Sequence, residues 1–327
     1  MSLKPTCAEA EVSVYLEIQS KSRRETAPEN TMISRCPKSV LTCFRIAVLL
    51  LCTCTGAWAQ MVGTLTMAEG KVTLIRGTTV YAVAEGTKLG AGDIIQTEAK
   101  GQAQVEFQGG PTINFAAGTQ ALLLNLSKTR GEAEFAVLVG WVKFMQKKAN
   151  GAIRFYMPVA QLVVEDATGV IHATGGAVEI FIESGTANFF ESGKKGSAGE
   201  ARTVRGGEFI VRTGEQAAIV SARPSAQFVD ALPRHFRDNL PARFDRVKDR
   251  KAEPKRDHEA AYAEVEAWLK ASPPVRKNFV RRFQSRAHDA EFRKGLIANL
   301  REHPEWDPVL YPEKYRPKQE KKQEKRQ

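Results

Sequence analysis

The chain has 327 residues, five cysteines and a formal net charge of +11. That length allows two domains and a substantial apolar core. All five cysteines (Cys7, Cys36, Cys43, Cys52 and Cys54) precede residue 60, so a chain beginning there can hold no disulfide, thiolate nucleophile or Cys-based zinc site. The charge is uneven: residues 60–224 hold 16 Lys and Arg against 15 Asp and Glu, whereas residues 225–327 hold 25 against 17.

"MISRCPKSVLTCFRIAVLLLCTCTGAWAQ", from Met32, has the three parts of a secretory signal. Arg35, Lys38 and Arg45 form the charged entry, Ile46 to Cys54 the apolar run, and Ala57-Trp58-Ala59 the small-residue site, which places the cut before Gln60. The apolar run is roughly half the ~20 residues that span a bilayer. A cleaved signal at residues 32–59 and a periplasmic protein are therefore expected, with residues 1–31 reading as an extension from a start codon set too early.

Between Gln60 and Pro224 stand 23 of the 25 glycines. Here the pattern is strand after strand. "KVTLIRG" turns Val72 and Leu74 one way. "GQAQVEFQG" alternates Ala103, Val105 and Phe107 with Gln102, Gln104, Glu106 and Gln108, the period of a half-buried strand. "ALLLNLS" groups Leu122, Leu124 and Leu126, and "AVEIFIESG" groups Val178, Ile180 and Ile182. "EFAVLVGWVKFM" is apolar on both faces, which predicts an inner strand kinked at Gly140. Turn signals every eight to twelve residues predict a mainly β domain over 60–224, a glycine-punctuated sandwich or a solenoid-like coil. Gly86, Gly92, Asp93, Thr97, Gly109 and Gly110 are its candidate structural turns, Asp93 bonding backbone N–H groups two residues on.

Beyond Pro224 the period changes to a helical one. The expectation is a smaller, basic, all-α region over 225–312. "RHFRDNLPARFDRVKDRKAEPKRD" fits a short amphipathic helix through Phe236, Leu240, Phe244 and Val247. "DHEAAYAEVEAWLKAS" places Ala261, Val265, Trp268 and Leu269 on one stripe, stopped by Pro273-Pro274. Val275, Phe279, Val280 and Phe283 form the next stripe, and Phe292, Leu296 and Leu300 follow Asp289 as a cap. The last residues, 313–327, are polar enough to predict disorder.

The stretch Gly86, Leu89, Gly92-Asp93, Ile95 and Thr97 resembles the "G-x-x-L-x-x-G-D-x-I-x-T" core of the FecR domain. "AQVEFQGG" and "AVLVGWVKF" are similar to the strands that follow it, with Gly109 where the family has Asp or Asn, and Met157-Pro158 where it often has Thr-Pro. The resemblance runs over roughly residues 62 to 220 and implies a β fold in the periplasm. Family members relay signals from an outer-membrane receptor to a sigma factor through a cytosolic segment and a membrane helix. A cleaved signal and a basic helical C-terminal region depart from that plan, so sigma-factor control is not implied.

Glu165, Asp166 and His172 could supply an acid, a base or metal ligands, but with no second cluster the expected reading is an exposed loop and a structural histidine. No motif for a serine nucleophile, a zinc protease or a phosphate loop is present. The sequence thus points to no enzyme, no cofactor and no metal. Phe279, Phe283, Phe292 and Leu296 are candidates for an uncovered apolar stripe that docks a protein partner of the cell envelope, a component of cell-surface signalling or of surface assembly. Arg243, Arg246, Arg250, Lys251, Arg281 and Arg282 are candidates for contact with an anionic lipid or polysaccharide surface. Interleaved acids also fit a plain solvated face, and nucleic acid is not expected of an exported protein. The competing reading is a carbohydrate- or peptidoglycan-binding, or polysaccharide-cleaving, β protein, whose mark would be exposed aromatics flanking a carboxylate cleft.

Overall fold

A computed structural model describes residues 63–127, 132–193 and 196–316. The extension at 1–31, the signal at 32–59 and residues 317–327 of the tail lie outside the described residues. The described chain is mostly β, with a smaller helical C-terminal region.

Three long strands organise the sheet: β9 (Glu132–Gln146), β11 (Ala160–Ala173) and β12 (Ala177–Ser192). Each changes partners halfway. The first half of β9 pairs with β8 (Gln120–Ser127) and, in parallel, with β10 (Ile153–Tyr156). Its second half pairs with β7 (Thr112–Phe115) and with the end of β11. The hydrogen-bonded sheet therefore folds over into two layers. Layer one adds β2 (Val72–Arg76), β3 (Thr79–Ala82), β5 (Ile94–Thr97) and, at its other end, β13 (Ala198–Arg205). Layer two adds β1 (Gly63–Glu69), β4 (Lys88–Leu89), β6 (Gln102–Phe107), β14 (Phe209–Thr213) and β15 (Ile219–Ser221).

The fold-over needs sharp bends within single strands. Where β11 and β12 turn together, their register shifts between Val164 and Asp166 and again between Thr168 and Gly169. Gly185 stands opposite this bend with φ of 80°, and a Cβ there would collide with the Asp166 carbonyl oxygen. Gly140, the expected kink in β9, has φ of 106° and packs its bare Cα against Thr119. An L side chain fits neither position.

The two layers enclose one apolar core. Phe135 of layer one meets Phe107 and Phe115 of layer two at centroid distances of 6.1 and 6.4 Å, and Phe144 meets Phe155 at 5.3 Å. Val72, Leu74, Ala103, Val105, Phe107, Val178, Ile180 and Ile182 all point into it, as their alternation predicts. Leu126 does not follow Leu122 and Leu124. A register shift between Leu123 and Asn125 turns it to the inner face.

The helical region is not an appendage. Ile75, Val80, Ile94, Leu122 and Ala136, on the outer face of layer one, pack with Trp268, Phe279, Phe283, Phe292, Leu296 and Trp306. These side chains come from α3 (Tyr262–Leu269), α5 (Phe279–Phe283), α6 (Ala290–Ala298) and the turn at Pro304–Trp306. As expected, Asp289 caps α6, accepting from the Phe292 N–H at 2.9 Å. The one-turn α4 (Pro273–Arg276) has Pro273 at its start. Pro224 thus marks a change of composition between residues 60–224 and 225–312, while the two parts share a core and form one unit.

Residues 225–260 make the crossing from one side to the other. Instead of one amphipathic helix they form α1 (Ala226–Ala231), a 3-10 turn at Arg234–Phe236, α2 (Phe244–Val247) and a strand, β16 (Lys255–Glu259), which pairs with β3. This segment covers the outer face of layer two, where the alternation predicts solvent. Gln104 and Glu106 are buried there. Gln104 donates to the Pro241 carbonyl at 2.8 Å, and Glu106 accepts the N–H groups of Arg243 and Phe244 at 2.9 and 3.1 Å, satisfying the start of α2. Lys143, also buried, donates to the carbonyls of Phe236 and Asp238 and to Glu183.

Gly185→Ala should destabilise the fold by about 3 kcal/mol or more through forced φ and collision. Gly175→Ala, at a glycine with open space around it and no positive φ, should change stability little. Urea denaturation of both variants checks the contrast.

Candidate binding surfaces

The Gly92-Asp93 turn is a joint between sheet and helices. Gly92 adopts φ of 91° and Asp93 accepts the Gly90 N–H at 2.8 Å. That donor lies three residues back, not two residues on. The main partner is Arg76, at the end of β2, which grips both Asp93 oxygens at 2.9 and 2.6 Å and also donates to the Lys88 carbonyl. The pairing is asymmetric: the Asp93 side chain is 4% exposed and that of Arg76 42%. On the other side Arg282, from α5, donates to the carbonyls of Gly77, Gly92 and Ile75 at 2.6, 2.6 and 2.8 Å. Its guanidinium lies over the rings of Phe283 and Phe279, 4.9 and 5.6 Å from their centroids. Burial pulls the Arg282 pKa down to about 10, which leaves it charged at neutral pH. A cleft of about 390 Å³ opens between this turn and α5.

The other turn candidates are tied into the sheet. Gly86 has φ of 94°, donates to the Leu65 carbonyl and packs against Arg250. The Thr97 hydroxyl donates to the Ala116 carbonyl at 2.6 Å and accepts the Thr119 N–H at 2.9 Å. Gly109 has φ of 62°, and Gly110 donates its N–H to the Phe107 carbonyl.

The docking stripe is not available. Phe279, Phe283, Phe292 and Leu296 are all buried, because the outer face of layer one is apolar and they cover it. The cationic candidates divide. Arg282 is committed to its three carbonyls. Arg243 is half-buried, with its backbone held by Glu106. Arg246, Arg250, Lys251 and Arg281 are exposed, Arg250 with Glu85 at 3.5 Å.

Glu165 and Asp166 sit exposed at the β11 bend, and His172 lies farther along the strand in layer two. His172 stacks on Trp141 at 4.0 Å and its Nδ1 is 2.8 Å from Glu179. Trp141 also meets Phe228 of α1, tilted at a centroid distance of 5.1 Å, so its ring is engaged by two aromatic neighbours.

Two surfaces carry no sequence motif. A groove of about 530 Å³ runs between the β9–β10 face and α3–α4, lined by Leu138, Val139, Tyr156, Met157, Ala271 and Val275 among others. Tyr156 donates to Glu134 at 3.2 Å, and burial raises its pKa. The second is the β15 edge, where Ile219 is 70% and Val220 37% exposed. Alternation could not reveal it, because a three-residue strand is too short to show a period.

The chain matches no protein-family model and no curated protein. Among solved structures it is similar to two crystal structures of a "putative anti-sigma factor" from Parabacteroides distasonis, at 15% and 14% identity and a TM-score of 0.35 in each case. The alignments cover 42% of this chain and 63% and 62% of those chains, so it spans a little under two thirds of their length.

Asp93→Asn should destabilise the protein by about 2 kcal/mol: the amide oxygen can keep the position shared by the Gly90 N–H and Arg76 Nη2, but its NH2 then faces Arg76 Nε, donor against donor, the charge pair is lost, and half-exposed Arg76 regains only some water. Thermal melts at neutral pH check it.

Proposed function

We propose that this protein is a non-enzymatic binding module of the FecR-domain type, exported to the periplasm, which engages a protein partner of the cell envelope by strand addition at β15. The observation that carries this reading is a contrast among sheet edges. Edge β4 holds Lys88, edge β13 holds Glu200, Arg202 and Arg205, and edge β16 holds Lys255, Arg256, Asp257 and Glu259. Charges of this kind keep edges from pairing with other chains. β15 has none, and it exposes Ile219 and Val220.

A partner strand laid along β15 would continue layer two and cover both side chains. Main-chain hydrogen bonds would supply affinity and the apolar pair selectivity. The Gly86 to Thr97 motif supports the FecR assignment, and the Met32 to Ala59 pattern supports export. Exposed Arg246, Arg250, Lys251 and Arg281 support a secondary contact with an anionic surface, moderated by interleaved Asp245, Asp249 and Glu253.

A photo-crosslinking residue at position 219 should give a discrete adduct in the envelope, attached through a strand-forming peptide identified by mass spectrometry. The adduct should disappear with Val220→Lys. The same probe at Ile297, 42% exposed on α6, should give none. No adduct from 219, or the same adducts from both positions, would count against the proposal.

A further inference from the structure

The charges around the Gly92-Asp93 turn do not balance. Arg282 is largely buried, and its partners are three neutral carbonyls. Among the described residues no carboxylate stands within ion-pair distance of it. The one acid in the cleft, Asp93, is already neutralised by both arms of Arg76. Arg281, the next residue along α5, is exposed and has no hydrogen-bond or ion-pair partner among the described residues. The cleft wall therefore holds three guanidinium groups against one engaged carboxylate.

A cation taken out of water without a counter-charge is costly. Placed beside a concave opening, it makes the opening a site of positive potential, and low-dielectric walls strengthen that field. Hydrogen-bond donors are also in place. Arg76 uses Nε and Nη2 on Asp93 and Lys88, which leaves Nη1 uncommitted. The Asn278 side-chain amide, which also lines the cleft, has no partner among the described residues. Arg76 is held still by its bidentate grip, so binding an anion there would order only Arg281 anew. The volume of about 390 Å³ is near the lower end of the ~300–1,000 Å³ typical of small-ligand sites.

We infer that this cleft binds a phosphate-type oxyanion between Arg76, on the sheet, and Arg281, on α5, with Arg282 behind it supplying unpaired positive charge. The anion is either free phosphate or the phosphate of a lipid headgroup, since both present the same tetrahedral oxygens. Bound there, it bridges sheet and helical layer, so it stabilises the folded chain by mass action. This site does not depend on the β15 reading, and either can fail alone.

The test uses the whole exported chain with inorganic phosphate. Calorimetry should show saturable binding, and phosphate should raise the melting temperature above that in chloride of equal ionic strength. Arg281→Ala should weaken binding about tenfold or more, one lost charge-assisted contact, while leaving the melting temperature without phosphate unchanged. Arg301→Ala, at an exposed arginine outside the cleft, should have no effect. Absence of saturable binding, or equal losses from Arg281→Ala and Arg301→Ala, would overturn the site. Vesicles of phosphatidylglycerol separate the two sources. If they bind the chain and phosphate competes in an Arg281-dependent way, the ligand is a headgroup. If phosphate binds and the vesicles do not, it is a soluble phosphate.

Discussion

Around β2, β5, β8 and the first half of β9, layer one of the sheet has no face that can meet water. In β2, β5, β8 and the first half of β9, Leu74, Ile95, Leu123, Phe135 and Val137 fill the inner core, while Ile75, Ile94, Leu122 and Ala136 point the other way and are equally apolar. Leaving a side chain such as Ile75, Ile94 or Leu122 in water forgoes roughly 1.5–3 kcal/mol apiece. The strands therefore require a cover. Trp268, Trp306 and the three phenylalanines of α5 and α6 supply it, and β16 completes it by adding to the edge of β3.

The covering chain is directed by polar groups. Apolar burial is non-directional and would tolerate several arrangements of the C-terminal helices. Glu106 at the start of α2, Lys143 on the carbonyls of Phe236 and Asp238, and Arg282 on those of Ile75, Gly77 and Gly92 are each buried or nearly so. A buried polar group left without its partner costs about 1–3 kcal/mol, more if charged. Each thus holds one segment of the covering chain at one place on the sheet.

The inner core was legible because its signal is local. Val72 with Leu74, Ala103 with Val105 and Phe107, and Val178 with Ile180 and Ile182 alternate within single strands, and Gly140 marks its kink in the same stretch. The Asp289 cap was legible for the same reason. Gln104, Glu106 and Lys143 were not. Their type predicts solvent, and they are buried by backbone groups more than 90 residues away. Phe279, Phe283, Phe292 and Leu296 stand out as a stripe by their helical spacing. What they face depends on the outward residues of layer one, and each strand taken singly does not show that both its faces are covered. β16 carries no sequence signal because "KRDHE" has no apolar residue; only pairing with β3 makes it a strand. Of the two surfaces assigned a binding role, the β15 edge had no sequence signal. The oxyanion cleft was half visible, in Arg281 and Arg282, without Arg76.

A chain built this way has little freedom to open between sheet and helices, which suits a platform that presents an edge strand in fixed geometry rather than a pair of domains that move. The direct measurement compares residues 60–316 with residues 60–224, by near-ultraviolet circular dichroism and urea denaturation. The longer chain should show fixed aromatic signals and one cooperative transition, and the shorter chain should show neither and should bind hydrophobic dye. A 60–224 chain that unfolds cooperatively, with its aromatic signals intact, would contradict the dependence of the sheet on its C-terminal cover.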